Sequence, residues 1–261
     1  MNAALLHGLF ELLAYGAGFR LFLYLRRREP AHPLADTDHA LWIGSAAIIG
    51  AALGSRMLWW LEDPATAFAH FPHPLQLISG KTVAGGFIGG WLAVEAIKRW
   101  LGDRRATGDL LVYPLLLGLA IGRLGCFLAG VEDGTAGSPT DLPWAWDYGD
   151  GIPRHPAQLY EIGFCLTLAA LLAWRGNRLP RPGDRFKLFM VAYLGWRVLV
   201  EFLKPLPYAW FGVLSGIQIG CALALLIYLP HIPRLFGALL WAPRPAPIST
   251  TTRPSRSAPP A

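Results

Sequence analysis

The chain has 261 residues, of which 54% are hydrophobic and 15% are charged, and its formal net charge is +6. So apolar a composition excludes an average soluble domain and indicates an integral membrane protein. The positive charge does not predict a nucleic-acid partner, because the basic residues fall in links between apolar segments, where they report membrane topology.

Seven apolar segments have the length that a membrane-spanning helix needs, roughly 17 to 25 residues. The predicted fold class is therefore an all-α integral membrane protein. It consists of a single polytopic domain over residues 1–241 and a disordered cytoplasmic tail over residues 242–261, which lacks the apolar content to fold. In chain order the segments are Leu5–Leu25, Ala40–Leu61, Val83–Trp100, Leu110–Leu128, Pro156–Trp174, Phe186–Leu203 and Trp210–Leu229.

The links between these segments alternate in charge. Basic residues follow the first, third and fifth segments, whereas acidic residues dominate the link of residues 131–154. Cytoplasmic links of membrane proteins carry the excess of lysine and arginine. The alternation predicts an outward-facing N-terminus and a cytoplasmic C-terminus. The aromatic residues of the link 131–154 then form either an interfacial lid or an ordinary exposed loop.

Several charged side chains lie inside the predicted helices, where an isolated charge costs roughly 2.5–3.5 kcal/mol. Arg123 lies in the fourth segment and predicts an anion site, because a guanidinium binds phosphate bidentately and keeps its charge. Arg56 lies in the second segment and would face the same site. In the sixth segment Tyr193, Arg197 and Glu201 recur every four residues and share one helix face. A purely structural Arg197–Glu201 ion pair is the alternative interpretation.

A polar run opens the fifth predicted helix, Arg154-His155-Pro156-Ala157-Gln158-Leu159-Tyr160-Glu161. Its proline suits the first turn of a helix, where the missing N–H is not needed. Under the predicted topology this run, Arg123 and Glu201 all fall in the outer half of the membrane. The simplest arrangement is one outward-facing polar cavity, with cations for a phosphorylated headgroup and titratable groups for proton transfer. This chemistry is typical of an enzyme that acts on lipid headgroups.

Glycines recur at helical spacing in two places. The run Gly85-Gly86-Phe87-Ile88-Gly89-Gly90 and the pair Gly118 and Gly122 predict close helix–helix contacts. A glycine loop that cradles a phosphate is the less favoured alternative, because the sequence GxxxxGK[ST] is absent.

At these positions the chain resembles the prolipoprotein diacylglyceryl transferase family. The similarity covers nearly the whole chain and includes weaker matches at Gly54-Ser-Arg56 and from Ser79 to Gly86. The resemblance implies transfer of diacylglycerol from phosphatidylglycerol to the cysteine thiol of a preprolipoprotein lipobox, with glycerol phosphate as the leaving group. The stretches that carry it are Gly122-Arg-Leu-Gly-Cys-Phe with Gly130 and Gly134, Arg154 to Glu161, and Tyr193-xxx-Arg197-xxx-Glu201-Phe-x-Lys-Pro205.

The resemblance also implies residence in the bacterial cytoplasmic membrane and roles for individual residues. Arg123 and Arg197 would handle the phosphate, and Tyr193, Glu201 and His155 are the other catalytic candidates. A nearby carboxylate or imidazole would help to form the thiolate. The expected partners are phosphatidylglycerol, the lipobox peptide and membrane lipids, without a cofactor or a metal, since no metal-ligand motif occurs. The candidates for substrate binding are Arg154, Gln158, Tyr160, Glu161, Lys81, Cys126 and Arg56.

The chain departs from the family pattern at several positions. Ala84 stands where the family has a histidine that is a candidate base, and Lys81 cannot simply replace an imidazole. Cys126 stands where asparagine is usual, and Val131 stands where an acidic residue is usual. A tyrosine of the first span is replaced, with Glu11 nearby.

Three hypotheses follow from this mixture of matches and departures. The first is a diacylglyceryl transferase with an altered base. The second is a phospholipid-headgroup transferase of the same fold that uses another acceptor. The third is a non-catalytic lipid-binding or transport protein, although the chain lacks the internal repeat that transporters usually show.

Overall fold

The structure, a computed structural model, describes residues 3–69, 80–179 and 181–241, apart from the side chains of residues 4 and 241. The tail predicted to be disordered, residues 242–261, lies outside the described residues. A short antiparallel hairpin pairs β1 (Trp146–Asp147) with β2 (Pro153–Arg154). The described helices are α1 Ala3–Arg28, α2 Thr37–Glu62, α3 Pro64–Ala69, α4 Val83–Trp100, α5 Val112–Ala129, α6 Ala157–Arg175, α7 Asp184–Val200, α8 Gly216–Tyr228 and α9 Ile232–Trp241.

The seven predicted segments are all helical and correspond to α1, α2 and α4 to α8. Helix α4 has three charged residues among 18 and α7 has four among 17, more than is usual in an apolar spanning helix. The chain therefore has the helical architecture of an integral membrane protein, and the crossing of all seven segments stays a prediction. Five regions are long and apolar enough to cross a membrane, namely Leu5–Arg28, Thr37–Glu62, Asp109–Asp133, Ala157–Arg178 and Gly216–Leu240.

The seventh predicted segment starts too early. It was expected to begin at Trp210, but α8 begins at Gly216, because Ser215 and Gln218 form a reciprocal capping box at its N-terminus. The indole of Trp210 instead donates to the carbonyl oxygen of Leu61, at 2.7 Å, and holds the preceding loop against the end of α2.

The outer surface of the bundle is apolar. Leu12, Ile48 and Leu223 expose 70%, 72% and 60% of their surfaces, and many other large hydrophobic side chains on the same helices are also exposed. Contiguous apolar surface on this scale is unfavourable in water and matches the hydrocarbon of a bilayer. The exposed leucines and isoleucines therefore indicate lipid-facing helix surfaces.

Helix α7 lies at the centre of the core. Phe189, Met190, Tyr193 and Leu194 are completely buried, and the ring of Phe87 on α4 packs edge-on against Phe189 and Tyr193. The polar groups of α7 are thereby held among packed neighbours, which restricts their rotamers.

Contacts between helix ends show that neighbouring helices alternate in direction. At one end, Arg26 donates to Ala35, and Gly183 at the start of α7 donates to Asp109 before α5. This end carries the basic links, and we call it the basic end. At the opposite end lie the starts of α1, α4, α6 and α8 and the ends of α2, α5 and α7.

A His–Asp pair joins two segments at the basic end. His39 Nε2 lies 2.6 Å from Asp103 Oδ2 and joins the start of α2 to the link after α4. Burial by itself would raise the pKa of Asp103, but hydrogen bonds from Arg105 and His39 outweigh it and lower that pKa to about 2. The Asp103 carboxylate is therefore charged throughout the physiological range.

Helices α2 and α4 meet through glycines. A Cβ atom added at Gly85 or Gly89 of α4 would overlap the backbone carbonyl of Gly54 or Gly50 on α2. The predicted close contact is thus confirmed at Gly85 and Gly89. The predicted close contact is wrong at Gly122, where an added Cβ would meet no atom within 4 Å in the part of the chain that the structure describes.

This difference predicts opposite effects for two matched substitutions. Gly89→Ala forces the α2 and α4 backbones apart and is expected to lower the free energy of unfolding by about 1–3 kcal/mol. Gly122→Ala gains helix propensity without a clash and is expected to be neutral or slightly stabilising. Thermal unfolding of both variants in detergent, followed by tryptophan fluorescence, measures the difference. Equal midpoints for the two variants would contradict the glycine contact.

Candidate active site

Four charged side chains form a buried chain of ion pairs at the end opposite the basic end. Glu161 Oε2 lies 2.9 Å from Arg123 Nε and 3.3 Å from Arg197 Nη1, so one carboxylate bridges two guanidinium groups. Arg197 Nη2 then pairs with Glu201 Oε2. We call Arg123, Glu161, Arg197 and Glu201 the buried ion cluster. It joins the end of α5, the start of α6 and the end of α7.

Burial makes these pairs depend on one another. Glu161 exposes 2% of its surface and Arg197 3%. A charge removed this far from water is tolerated only when it is paired and hydrogen-bonded, and breaking such a pair leaves an uncompensated charge. The cluster therefore positions its guanidinium groups firmly.

Some polar atoms at the buried ion cluster have no hydrogen-bond partner among the described residues. Three of its neighbouring buried polar atoms have no hydrogen-bond partner in the described part of the protein: Glu161 Oε1, Arg197 Nε and the hydroxyl of Tyr193. Arg123 Nε forms an ion pair with Glu161, and its Nη1 contacts the thiol of Cys126, at 4.0 Å. Its Nη2 has no acceptor among the residues that the structure describes. The unpaired guanidinium and hydroxyl donors suit an oxyanion, whereas Glu161 Oε1 can only accept a hydrogen bond.

Lys204 adds a cation that the sequence analysis did not select. It follows the 3-10 turn Glu201–Leu203 at the end of α7 and is half-buried. Burial, followed by the positive charge of Arg197, lowers the pKa of Lys204 to about 8. Its charge raises the positive potential beside the cluster at neutral pH. The signal was present in the sequence, since Lys204 lies in the motif that runs from Tyr193 through Arg197 and Glu201 to Pro205.

A second polar group lies beside the cluster at the start of α1. His7 Nδ1 is 2.6 Å from Asp133 Oδ1 and 3.9 Å from Cys126 Sγ. Cys126 thus stands between His7 and Arg123. Glu11, one turn after His7, binds Lys81 Nζ with both carboxylate oxygens, at 2.7 and 2.9 Å. Of the predicted site residues, Lys81 therefore contacts Glu11 of α1, and Cys126 contacts His7 of α1.

His7, Cys126 and Asp133 have potential metal-ligand atoms within 4.8 Å of one another. The 2.6 Å between His7 and Asp133 is, however, a hydrogen-bond distance, shorter than the roughly 3.3 Å that separates two ligands of a tetrahedral zinc ion. The guanidinium of Arg123 also places a positive charge beside the thiol. The geometry favours a hydrogen-bonded group over a metal site.

The loop of residues 131–154 is tied down by hydrogen bonds. Tyr148 donates to Gln158 Oε1, at 2.7 Å, and Gln158 Nε2 donates to Thr135 Oγ1, at 3.1 Å. The Thr135 hydroxyl donates in turn to Asp133 Oδ2, at 2.5 Å. A continuous chain of donors and acceptors thus runs from Tyr148 to the carboxylate that holds His7. The predicted substrate-binding residue Gln158 is a link in this chain.

The polar run before α6 also holds the loop. Tyr160 accepts a hydrogen bond from the indole of Trp144, at 2.9 Å, and its hydroxyl lies 3.3 Å from His155 Nδ1. Arg154 pairs with Asp150, at 2.7 Å, and this bond lowers the pKa of the Asp150 carboxyl. The structure places His155, Arg154 and Tyr160 in this loop network, without an ion pair to the buried cluster among the described residues.

Arg56 occupies a separate position. Its Nη1 donates to the carbonyl oxygen of Ala52 in its own helix, at 3.1 Å. Of the predicted residues, the structure therefore brings together Arg123, Glu161, Tyr193, Arg197, Glu201 and Cys126, and it leaves Arg56 apart.

An open groove of about 570 Å³ lies between the start of α1, the end of α5 and the loop. Leu6 and Leu128 supply apolar walls, and Glu132, Tyr148 and Asp150 supply polar ones. A groove with this mixed lining suits an amphipathic ligand.

Comparisons with known proteins agree with the family suggested by the motifs. A sequence model of the family described as prolipoprotein diacylglyceryl transferase matches residues 4–233. Three curated relatives are each named phosphatidylglycerol–prolipoprotein diacylglyceryl transferase. The protein from Nitrosomonas europaea is 32% identical over 89% of this chain and 84% of its own length. Those from Cupriavidus pinatubonensis and Bordetella avium are 32% and 34% identical, over 93% and 80% of this chain and 90% and 80% of their own lengths.

Proposed function

This chain belongs to the prolipoprotein diacylglyceryl transferase family, and we propose that it transfers the diacylglyceryl group of phosphatidylglycerol to the cysteine thiol of a prolipoprotein lipobox. The observation that carries the proposal is the buried bridge from Arg123 through Glu161 to Arg197, which leaves guanidinium donors unpaired in a polar cluster at one end of the bundle.

The reaction breaks the bond between a glycerol carbon and a phosphate oxygen. The leaving glycerol phosphate gains negative charge as this bond breaks, so fixed cations stabilise the transition state more than the ground state. The free Nη2 of Arg123 and the unpaired Nε of Arg197 are the donors for that charge, with Lys204 as a further cation. Glu161 is a positioning residue that holds both guanidinium groups at fixed orientation.

The remaining predicted residues have supporting roles in this proposal. Glu201 fixes Arg197, and the Tyr193 hydroxyl supplies a further donor at the cluster. Gln158, Tyr160, His155 and Arg154 hold the loop of residues 131–154 beside the site, where the loop contacts the acceptor peptide. Lys81, which binds Glu11, contributes positive charge near the lipid headgroup, whereas Arg56, which lies apart from the buried ion cluster, is given no contact with the headgroup.

The membrane topology completes the proposal. All seven segments cross the cytoplasmic membrane, with the basic end in the cytoplasm and the buried ion cluster in the outer half of the bilayer. This places the N-terminus outside and the C-terminus inside. Phosphatidylglycerol then enters from the surrounding lipid, and the lipobox peptide reaches the same face. The proposed reaction does not involve a nucleic acid.

A reconstituted transfer assay tests the proposal. Purified protein in phosphatidylglycerol liposomes is mixed with a lipobox peptide, and thioether-linked diacylglycerol is measured by mass spectrometry. We expect product with the cysteine peptide, and none with its Cys→Ser variant or in phosphatidylcholine liposomes. Diacylglycerol on the serine peptide would indicate a headgroup transferase with another acceptor. Phosphatidylglycerol binding without any product would indicate a lipid-binding protein.

A further inference from the structure

We propose that His7 is the general base that takes the proton from the acceptor thiol, and that Asp133 is the residue that positions it. The inference rests on the proposed function and extends it to a residue that no motif marks. It is carried by the geometry around His7 at the start of α1, next to the buried ion cluster.

The imidazole of His7 is oriented by a buried carboxylate. His7 Nδ1 lies 2.6 Å from Asp133 Oδ1, and because a carboxylate oxygen has no proton to donate, this close approach favours the neutral tautomer that carries its proton on Nδ1. Nε2 is then the basic nitrogen. This arrangement is the one in which an aspartate holds a catalytic histidine in its productive tautomer.

Asp133 is itself fixed on its other oxygen. Its side chain is 6% exposed, and Oδ2 accepts from the Thr135 hydroxyl, which is held by Gln158 and through it by Tyr148. Four side chains in series thus orient one imidazole. If the His7–Asp133 contact only joined α1 to the loop, the second carboxylate oxygen of Asp133 would not need a hydrogen-bond partner.

The basic nitrogen of His7 remains available. Nε2 has no hydrogen-bond partner among the described residues, and its nearest acid, Glu11 Oε2, lies 3.8 Å away. Glu11 is already occupied by Lys81 and by the hydroxyl of Tyr15. The His7 side chain is 31% exposed, so a substrate can approach it.

The position of His7 also suits a thiol that must attack beside the phosphate. Cys126 Sγ lies 3.9 Å from His7 Nδ1 and 4.0 Å from Arg123 Nη1, so the imidazole ring and the guanidinium group flank one buried side chain, with Nδ1 rather than the basic Nε2 nearer to Cys126. Leu6, the residue before His7, lines the open groove. A peptide in that groove would bring its thiol next to both groups.

The proposed step balances as follows. The acceptor S–H proton moves to His7 Nε2, and the thiolate sulfur attacks the diacylglyceryl carbon that carries the phosphate ester. The S–C bond forms while the C–O bond breaks, and its electron pair leaves on the phosphate oxygen of glycerol phosphate. The imidazolium then releases its proton to solvent. No oxidant, reductant or further reactant is needed.

The test compares two His–Asp pairs of the same length in the reconstituted transfer assay. His7→Ala is expected to lower the rate of thioether formation at pH 7 by at least about a hundredfold. His39→Ala breaks the matching pair with Asp103 at the basic end, also 2.6 Å, and is expected to retain wild-type rates. Asp133→Asn is expected to lower kcat more than it raises KM, because it holds the wrong tautomer.

Two measurements distinguish a general base from a residue that has only a structural role. A free peptide thiol has a pKa of about 8.5, so its thiolate fraction grows about tenfold per pH unit below that value. The deficit of His7→Ala should therefore shrink as the pH rises from 6.5 to 9, and added imidazole should restore part of its activity at pH 7. The charged and titratable groups that face His7, namely Asp133, Glu11, Cys126 and, through Glu11, Lys81, stay in place in this variant.

Three outcomes would overturn the inference. Wild-type rates in His7→Ala would exclude a base at this position. If neither a higher pH nor added imidazole restored the lost activity of His7→Ala, and its unfolding temperature were also lower, His7 would have only a structural role. Loss of wild-type activity in EDTA with recovery in Zn²⁺ would show that the group binds a metal. An inactive wild type is a different result, because it contradicts the proposed function itself.

Discussion

Arg123→Ala is expected to lower the rate of thioether formation by at least about a hundredfold. Removal of one preorganised donor to a developing anion costs about 10²–10³ in kcat, and Arg123 is both a donor and a full charge in a buried site. Its Nε is held by Glu161 and its Nη2 is free, so the guanidinium is already oriented before a phosphate arrives. The reconstituted transfer assay measures the loss.

Two further variants make this result specific. Arg104→Ala removes the same charge from an exposed position in the link after α4 and is expected to keep wild-type rates. Arg123→Lys keeps the charge but loses the planar fork, so it is expected to recover only a small part of the activity. Full activity in Arg123→Ala, with phosphatidylglycerol still required, would contradict the assignment of this residue to the phosphate.

The helices of this protein could be predicted because their signal is local. A run of apolar residues of bilayer length identifies a helix from its own composition, and each of the seven segments is helical. The Arg197–Glu201 pair was also predictable, since a spacing of four places two side chains on one helix face. The boundary at Gly216 was missed because the apolar residues from Trp210 outweighed the capping signal of Ser215 and Gln218.

The partners of the site residues could not be predicted in the same way. Glu161 was expected near Arg123 and Arg197 only because all three fell in one membrane leaflet. That argument is too coarse to show that one carboxylate oxygen bridges both guanidinium groups. His7 and Asp133 lie at distant points of the sequence, and neither carries a motif. Their contact follows from the packing of α1 against α5, which no local pattern encodes.

The substitution Glu161→Gln is expected to destabilise the protein more than any other conservative change at the site. It keeps the size of the side chain but leaves two buried guanidinium groups facing each other without the charge that separates them. Removing one partner of a buried ion pair costs about 3–5 kcal/mol, and Glu161 serves two partners. Glu29→Gln is the matched control, because Glu29 is exposed just after α1 and forms no ion pair among the described residues, so its loss is expected to cost less than about 1 kcal/mol.

Thermal unfolding in detergent compares these variants, and a double-mutant cycle locates the coupling. If Glu161 stabilises the fold by separating the two guanidinium groups, Arg123→Met should destabilise less in the Glu161→Gln background than in the wild type, because it removes one of the charges left unpaired. Additive effects would mean that the two residues do not act as a pair. Equal midpoints for Glu161→Gln and Glu29→Gln would mean that the cluster is solvated rather than buried, and the argument for a preorganised phosphate site would then lose its physical basis.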